Sequence, residues 1–182
     1  MRKPLKPREE IIRDLSKVFR THGFEGTSLS LLTEGTGLER ASLYHHFPKG
    51  KADMAEAVLM QALAELDEKV LSRLEGERDP KRKIEDMMKQ VEKFYKNGNE
   101  ICFITIFSLG VVSKKVTDSM NAAIQKWLKL LETTLAELGV DAPKESAQHA
   151  LATFQGGLIL SHAMKDPKVF KNSLKQIESN WI

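Results

Sequence analysis

The residues with the most chemical potential lie in one short stretch, 38–51, whose sequence is LERASLYHHFPKGK. Its histidines, tyrosine and basic side chains could serve catalysis, metal binding or DNA recognition. Neighbouring residues on a helix point about 100° apart, so His45 and His46 cannot converge on one metal ion. No metal site is predicted, and we expect His45 to contact DNA, with a solvated histidine as the alternative.

The same angular spacing divides this stretch into two faces. Leu43 and Phe47 fall within about 40° of each other on a helix, and Pro48 and Gly50 end the helix behind them. The opposite face has a low profile, which suits entry into the major groove of DNA. This face and its flanks comprise Arg40, Ala41, Ser42, Tyr44 and His45.

Two further helices must position that face. Apolar residues recur at helical spacing from Ile11 to Phe19, which predicts a first helix that ends at Gly23. The hydroxyl of Thr27 or Ser28 can cap a second helix that runs to about residue 36. A turn at Gly37 then leads into the third helix, from about 39 to 47. Two short helices joined in this way, with a basic second member, form a helix-turn-helix pattern.

The rest of the chain also has helical periodicity, and no segment favours a strand. Proline residues can open helices and glycine can close them, which sets most of the boundaries. We therefore predict an all-α protein of about nine helices. The later helices are predicted over 51 to about 75, 80–95, 101–112, 116–138, 143–164 and 167 to the end.

Composition limits the classes of protein. A chain of 182 residues is one large domain or two small ones. No apolar run approaches the length of a membrane span, and the basic N-terminus lacks the apolar segment of a signal peptide. The single cysteine, Cys102, excludes an internal disulfide and fits a reducing compartment. These features predict a cytoplasmic protein without a membrane partner.

Positive charge is concentrated at the N-terminal end of the chain. Residues 1–51 contain ten Lys and Arg against six Asp and Glu, whereas the remaining 131 contain eighteen against nineteen. Such a distribution favours a polyanionic partner. A solvated basic face is the alternative.

The run TSLSLLTEGTGLERASLYHHFPKGKADM resembles the DNA-binding region of TetR/AcrR-family transcriptional regulators. The later stretches CFITIFSLG and FQGGLILSHAMKD, with the helix around Trp127, resemble the drug- and flavonoid-responsive, LmrA/YxaF-like subgroup. Two positions depart from the family pattern: Glu39 replaces the usual Ser or Thr cap, and Gly35 lies inside the second helix. The residues that match family positions are Thr27, Gly37, Leu43, Tyr44, Phe47 and Lys51.

The resemblance implies a helix-turn-helix DNA-binding domain over 1–50 that recognises a palindromic double-stranded operator, with Thr27 and Ser28 among its contacts. Two phosphate ligands are also expected from physical arguments. A phenol at the edge of the groove, Tyr44, is a natural phosphate donor. Lys51 opens the fourth helix, whose free N–H groups and positive dipole end attract an anion.

The resemblance further implies that residues 51–182 form a domain that binds a small hydrophobic effector and dimerises. The alternative for each apolar residue is a place in the core, and Gln155 is a further possible polar contact. No cofactor is implied. The residues expected to contact the effector are Met88, Val91, Phe107, Trp127, His149 and Phe154.

Two consecutive glycines, Gly156 and Gly157, lie inside a helical pattern and indicate a close helix approach. This approach could lie within one protomer, but the family forms a two-fold dimer of the last two helices, so Gln155 and Leu160 join the expected interface. The sequence thus predicts a ligand-responsive repressor. Activation remains open, and a helical carrier or enzyme without DNA binding is the alternative. A thiol enzyme is disfavoured because no motif surrounds Cys102.

Overall fold

A computed structural model describes residues 6–108, 110 and 112–181 of the chain. These residues form helices and connecting turns and contain no strand, which confirms the predicted all-α architecture with nine α-helices in the described ranges. The helices are α1 Arg8–Gly26, α2 Leu29–Thr36, α3 Arg40–His46, α4 Lys51–Lys69, α5 Pro80–Phe94, α6 Phe103–Ser108, α7 Lys114–Glu137, α8 Pro143–Met164 and α9 Pro167–Ser179. No helix of the described ranges has the length and apolar character that a membrane span requires.

The chain divides into two compact units. The first unit comprises 1–62 and 103–119, and the second comprises 63–102 and 120–182. Helix α6 belongs to the first unit because its Phe107 ring packs against Phe19 of α1, with 5.6 Å between ring centroids. The division into functional domains at residues 50 and 51 remains a prediction, since compactness and function need not share a boundary.

The first unit is built around a core of apolar side chains from α1, α2 and α3. Leu15, Leu32 and Leu43 are fully buried there. Helix α1 continues to Gly26, beyond the predicted end at Gly23, because the chain resumes a helical turn after a kink. Gly23 has a φ of 67°, a left-handed conformation that glycine adopts without strain.

Two other boundaries differ from prediction. Helix α4 stops at Lys69 and is followed by a 3₁₀ turn, Leu71–Leu74. In a 3₁₀ turn residues three apart lie on one side, so Leu71 and Leu74 are both buried. Helix α6 spans Phe103–Ser108. The prediction ran over 101–112, of which 109 and 111 lie outside the described residues. Helix α8 has the predicted bounds.

The second unit is organised by an aromatic cluster and by close packing of α8 on α9. Tyr95 and Phe170 contact the ring of Phe154, with centroids 5.2 and 5.8 Å apart, respectively. A Cβ atom on Gly157 would lie 2.6 Å from Oγ of Ser173. Glycine is therefore required at 157 by packing within the protomer.

Candidate nucleic-acid interface and effector cavity

Helix α3 presents the predicted face to solvent. Leu43 is fully buried beneath it, and Phe47, just beyond the helix end, is 1% exposed. His46 is half-buried. The side chains that α3 leaves exposed are Arg40, Ala41, Ser42, Tyr44 and His45. Two of these five side chains are small, so the backbone of α3 can approach the base edges in a major groove closely.

Helix α2, which precedes α3, is stabilised by a side-chain cap at its start and packs closely against α1. Oγ of Ser28 accepts a hydrogen bond from the backbone N–H of Leu31 at 3.3 Å, which caps α2. A Cβ atom on Gly35 would lie only 2.3 Å from Cγ2 of Val18. The glycine that departs from the family pattern is thus explained, because only glycine lets α2 approach α1 this closely. Glu39 precedes α3 without a side-chain cap.

Basic side chains bind the C-terminal ends of all three helices of the helix-turn-helix region. The last carbonyl groups of a helix lack partners within it and carry partial negative charge, so a cation there is stabilising. We call these three contacts the carbonyl clamps. They are Lys6 Nζ to the Thr36 carbonyl at 2.8 Å, Arg8 Nη1 to the His46 carbonyl at 3.0 Å and Lys51 Nζ to the Phe24 carbonyl at 2.9 Å.

The clamp at Lys51 differs from the predicted phosphate contact. Its ammonium nitrogen lies 4.5 Å from the centroid of the Phe24 ring, in addition to bonding the Phe24 carbonyl. A cation above an aromatic face is attracted by the ring. The side chain is therefore directed onto α1 and ties the start of α4 to the end of α1. In this conformation its charge serves the fold.

Two other predicted DNA contacts, Thr27 and Ser28, differ in whether their side chains are accessible to DNA. Thr27 is 2% exposed, and its hydroxyl donates to the carbonyl of Gly23. That side chain is used inside the protein. Ser28 is exposed at the start of α2, although its oxygen already serves as the cap.

Tyr44 combines exposure with a fixed position. Its side chain is 43% exposed, and a Cβ atom on Gly50 would lie 3.4 Å from the ring. Gly50 also has a φ of 70°, a backbone conformation that disfavours other residues. The phenol oxygen has no hydrogen-bond partner among the described residues. It is available to donate to a phosphate.

A partly open apolar cavity lies in the second unit, and it gathers four of the six predicted effector contacts. These are Met88, Val91, Trp127 and Phe154. The Trp127 and Phe154 rings have centroids 5.2 Å apart. The remaining space is about 20 Å³, roughly the room that one water molecule needs. A ligand larger than a water molecule would therefore have to displace side chains to fit there.

Two predicted contacts lie elsewhere. Phe107 is fully buried in the first unit, where Phe19 and Phe24 surround its ring. His149 is exposed and lines a neighbouring pocket of about 110 Å³ together with Asn180. The two pockets share the side chains of Ala150, Ile177 and Trp181.

The sequence interpretation missed several residues of the apolar cavity, and it overlooked Trp181 entirely. The amphipathic pattern of the last helix was the signal that could have found Ile177. The residues missed are Leu131, Ala150, Leu151, Leu174, Ile177 and Trp181.

One side of α8 exposes apolar side chains. Leu160 is 52% and Met164 62% exposed. An added Cβ on Gly156 would meet no atom within 4 Å. Of the predicted interface residues, Gly156 and Leu160 therefore lie on an open surface. Gln155 is half-buried, with its Nε2 3.6 Å from Sγ of Cys102.

Two known protein families match the chain, one over the helix-turn-helix region and one over most of the later helices. Residues 11–58 match the family described as bacterial regulatory proteins, tetR family. Residues 80–176 match the family described as transcriptional regulator LmrA/YxaF-like, C-terminal domain. The chain belongs to the TetR family of transcriptional regulators and is not an enzyme. Within that family it has an LmrA/YxaF-like C-terminal domain.

Individual relatives extend the similarity over most of the chain. The HTH-type transcriptional regulator LmrA of Bacillus subtilis is 24% identical over 165 residues, covering 87% of this chain and 88% of LmrA. The uncharacterised regulator YxaF of the same organism is also 24% identical, covering 87% of this chain and 86% of YxaF.

Solved structures share the fold. A TetR transcriptional regulator from Legionella pneumophila superposes with a TM-score of 0.82 at 18% identity, covering 99% of this chain and 100% of that chain. The regulator CifR, solved as a mutant in complex with double-strand operator DNA, has a TM-score of 0.79 at 17% identity, with 100% of both chains covered.

Proposed function

We propose that this protein is a repressor that binds a palindromic double-stranded operator as a homodimer and is released by a small hydrophobic effector. The observation that carries the proposal is the exposed α3 face above a buried Leu43. Operator DNA is bound in the structure of CifR, a protein of the same fold. A bacterial operator is cytoplasmic, so we place the protein there.

The α3 face provides groups for direct contact with base edges. Arg40 has no hydrogen bond or ion pair with any other described residue, so its five donors are available to a guanine edge. His45 can contact a base, and Ala41 and Ser42 allow the helix to approach closely. We assign Tyr44 and the exposed Ser28 to phosphates, which position the protein without selecting sequence.

The proposed dimer uses the exposed side of α8. Gly156, Ile159 and Leu160 present an apolar surface, of which Ile159 is 45% exposed. An isologous interface places the same surface on both protomers. Its two-fold symmetry matches a palindromic operator, in which the half-sites are related in the same way.

We propose that the effector binds the apolar cavity and favours a conformation whose two DNA-binding regions no longer match the operator. A ligand shifts such an equilibrium only by its difference in affinity for the two states. We expect it to reduce operator affinity by about 5- to 150-fold. Helix α4, whose residues fall in both units, is the proposed carrier of this coupling.

The test begins with DNA fragments that the purified protein captures from a genomic library, which are then sequenced. Fluorescence anisotropy should show that the captured palindrome binds more tightly than a single half-site. Tyr44→Phe should weaken binding to the palindrome and to its single-base variants by the same factor. Absence of any salt-dependent binding to captured fragments would contradict the proposal. A rise in transcription on binding would make the protein an activator.

A further inference from the structure

Helix α3 has little support from its own sequence. It contains seven residues, Arg40–His46, and isolated helices shorter than about 12 residues are marginal in water. No side chain caps its start at Glu39, and Leu43 is its one buried residue. Contacts at the two ends of α3 therefore decide its orientation.

The end of α3 is held from outside by Arg8. Nη1 of Arg8 donates to the carbonyl of His46, the last residue of α3, at 3.0 Å. The Cζ atom of the same guanidinium group lies 4.6 Å from the centroid of the buried Phe47 ring, in a cation–π contact. The start of α3 has only the turn at Gly37, whose φ of 66° is left-handed.

Arg8 is well placed to hold another helix because it is the first residue of α1. Ile11 and Leu15 of that 19-residue helix are fully buried. Lys6, two residues earlier, makes a different contact, since its ammonium group binds the carbonyl of Thr36 at the end of α2. Two neighbouring cations therefore hold two different helices, and the one at Arg8 holds α3.

A tilt of α3 about the turn at Gly37 would move its far end more than its start. Arg40 lies in the first turn, and His45 lies about 7.5 Å further along the axis, at a rise of about 1.5 Å per residue. A hydrogen bond to a base edge tolerates a change of only about 0.5 Å in its donor–acceptor distance. Contacts of His45 are therefore more sensitive to the loss of Arg8 than contacts of Arg40.

We propose that Arg8 is a positioning residue for operator recognition, which fixes the base edges that His45 contacts by holding the end of α3. The inference rests on the proposed function, in which α3 enters the major groove. Arg8 acts through α3 and needs no contact with DNA of its own. Loss of its side chain should therefore change sequence selectivity, and not only stability or overall affinity.

Operator titrations of matched variants test this role. Arg8→Met removes the hydrogen bond and the cation–π contact but keeps a long side chain. Lys6→Met is the control, because it removes the cation at the end of α2. Both variants and the wild type are titrated against the captured operator and its single-base variants at two salt concentrations. His45→Ala and Arg40→Ala, titrated alongside, show which base pairs depend on each end of α3.

The effect of Arg8→Met should be confined to part of the operator. Discrimination should fall by about fivefold or more at the base pairs that His45→Ala affects, the lower end of what one base contact contributes. It should change less at the base pairs that Arg40→Ala affects. The salt slope should stay the same, because no phosphate contact is removed. Lys6→Met should leave the discrimination at both sets of base pairs unchanged.

Hydrogen exchange of the free protein tests the contact without DNA. The backbone N–H of Phe47 donates to the carbonyl four residues earlier, at 2.8 Å, at the end of α3. Its exchange should be about tenfold faster in Arg8→Met, the size of one charged hydrogen bond, and unchanged in Lys6→Met. The N–H of Gly37, at the end of α2, should respond in the opposite way.

The outcomes separate the inference from the proposed function. Equal effects of Arg8→Met and Lys6→Met on selectivity, or one common factor at all base pairs, would overturn the positioning role. A salt slope reduced by about 0.9 in Arg8→Met would make Arg8 a phosphate ligand and overturn it as well. So would a His45→Ala variant that affects no base pair. If exchange at Phe47 responds as expected but the wild type binds no operator, the contact with α3 stands and the proposed function fails.

Discussion

In the first unit, cations bind carbonyl groups at the C-terminal ends of three helices, whereas in the second unit the N–H of Trp127 has no acceptor among the described residues. The first arrangement is complete within the chain. The second leaves a buried donor without an acceptor among the described residues. A fixed platform suits a surface that must hold a helix in place for DNA, whereas an unpaired buried donor lowers the stability of the unit that contains it.

Part of the positive charge at the N-terminal end of the chain is used inside the protein. The excess of positive charge within 1–51 favoured a polyanionic partner. Three of those basic residues, Lys6, Arg8 and Lys51, form the carbonyl clamps. A count of charges therefore overstates what is available to DNA. Arg40, which has no partner among the described residues, is the better indicator.

The largest effect is expected from the two adjacent glycines of α8. Gly157→Leu should lower the free energy of unfolding by about 3 kcal/mol, because its side chain would overlap Ser173 of α9. Gly156→Leu should leave the protomer folded, since nothing lies within 4 Å of the added Cβ, but it should weaken the dimer. Chemical denaturation measures the first effect and sedimentation the second. A monomeric wild-type protein at micromolar concentration would refute the proposed interface.

Arg40→Ala is expected to have the next largest effect, on operator preference. A side chain bonded to a base edge contributes about 1–3 kcal/mol of discrimination. The variant should therefore lose selectivity at one base pair of each half-site. Titrations against the operator and its single-base variants measure this loss. If all affinities fall by one common factor, Arg40 contacts phosphate and not a base.

Lys51→Met should separate clamping from phosphate binding. Loss of a charged hydrogen bond to the Phe24 carbonyl should lower the free energy of unfolding by about 2 kcal/mol. Operator affinity should fall for all sequences, with the salt slope unchanged, because no phosphate contact is removed. Lys49→Met is the control: its side chain is exposed and should not alter stability. A salt slope reduced by about 0.9 would restore the phosphate role of Lys51.

The sequence predicted the α3 face well because helical periodicity decides which side of a helix is buried. The spacing of Leu43 and Phe47 predicted that both side chains lie on the buried side, and both are buried. Periodicity does not say what lies across from a residue. Phe107 was assigned to the effector cavity because it is apolar and helical, but it packs on α1. The Lys51 clamp joins residues 27 positions apart in the chain, a contact that no local pattern shows.

The smallest effect concerns the ion pairs around Asp14 in α1. Burial raises the pKa of this carboxyl. The hydrogen bonds and charges of Lys17 and Lys6 together lower it by more, so the pKa of Asp14 lies below its usual value. A lowered carboxyl pKa contributes stability above the pKa of the unfolded chain, about 3.9, and this contribution is lost as pH falls through the folded pKa.

Asp14→Asn should therefore reduce stability at pH 7 by a small amount, about 1 kcal/mol or less, because its Lys17 partner is exposed and exposed ion pairs are weak. The difference from wild type should narrow as the pH falls below about 3.9, the pKa of the unfolded carboxyl, and disappear once the folded wild-type carboxyl is also protonated at lower pH. Glu34→Gln is a suitable control, because Glu34 is exposed and has no ion pair among the described residues. Thermal unfolding between neutral and acid pH gives both curves. A difference that persists unchanged at the lowest pH would mean that Asp14 acts through packing, and the Lys6 clamp would then owe its position to the Thr36 carbonyl and not to this carboxylate.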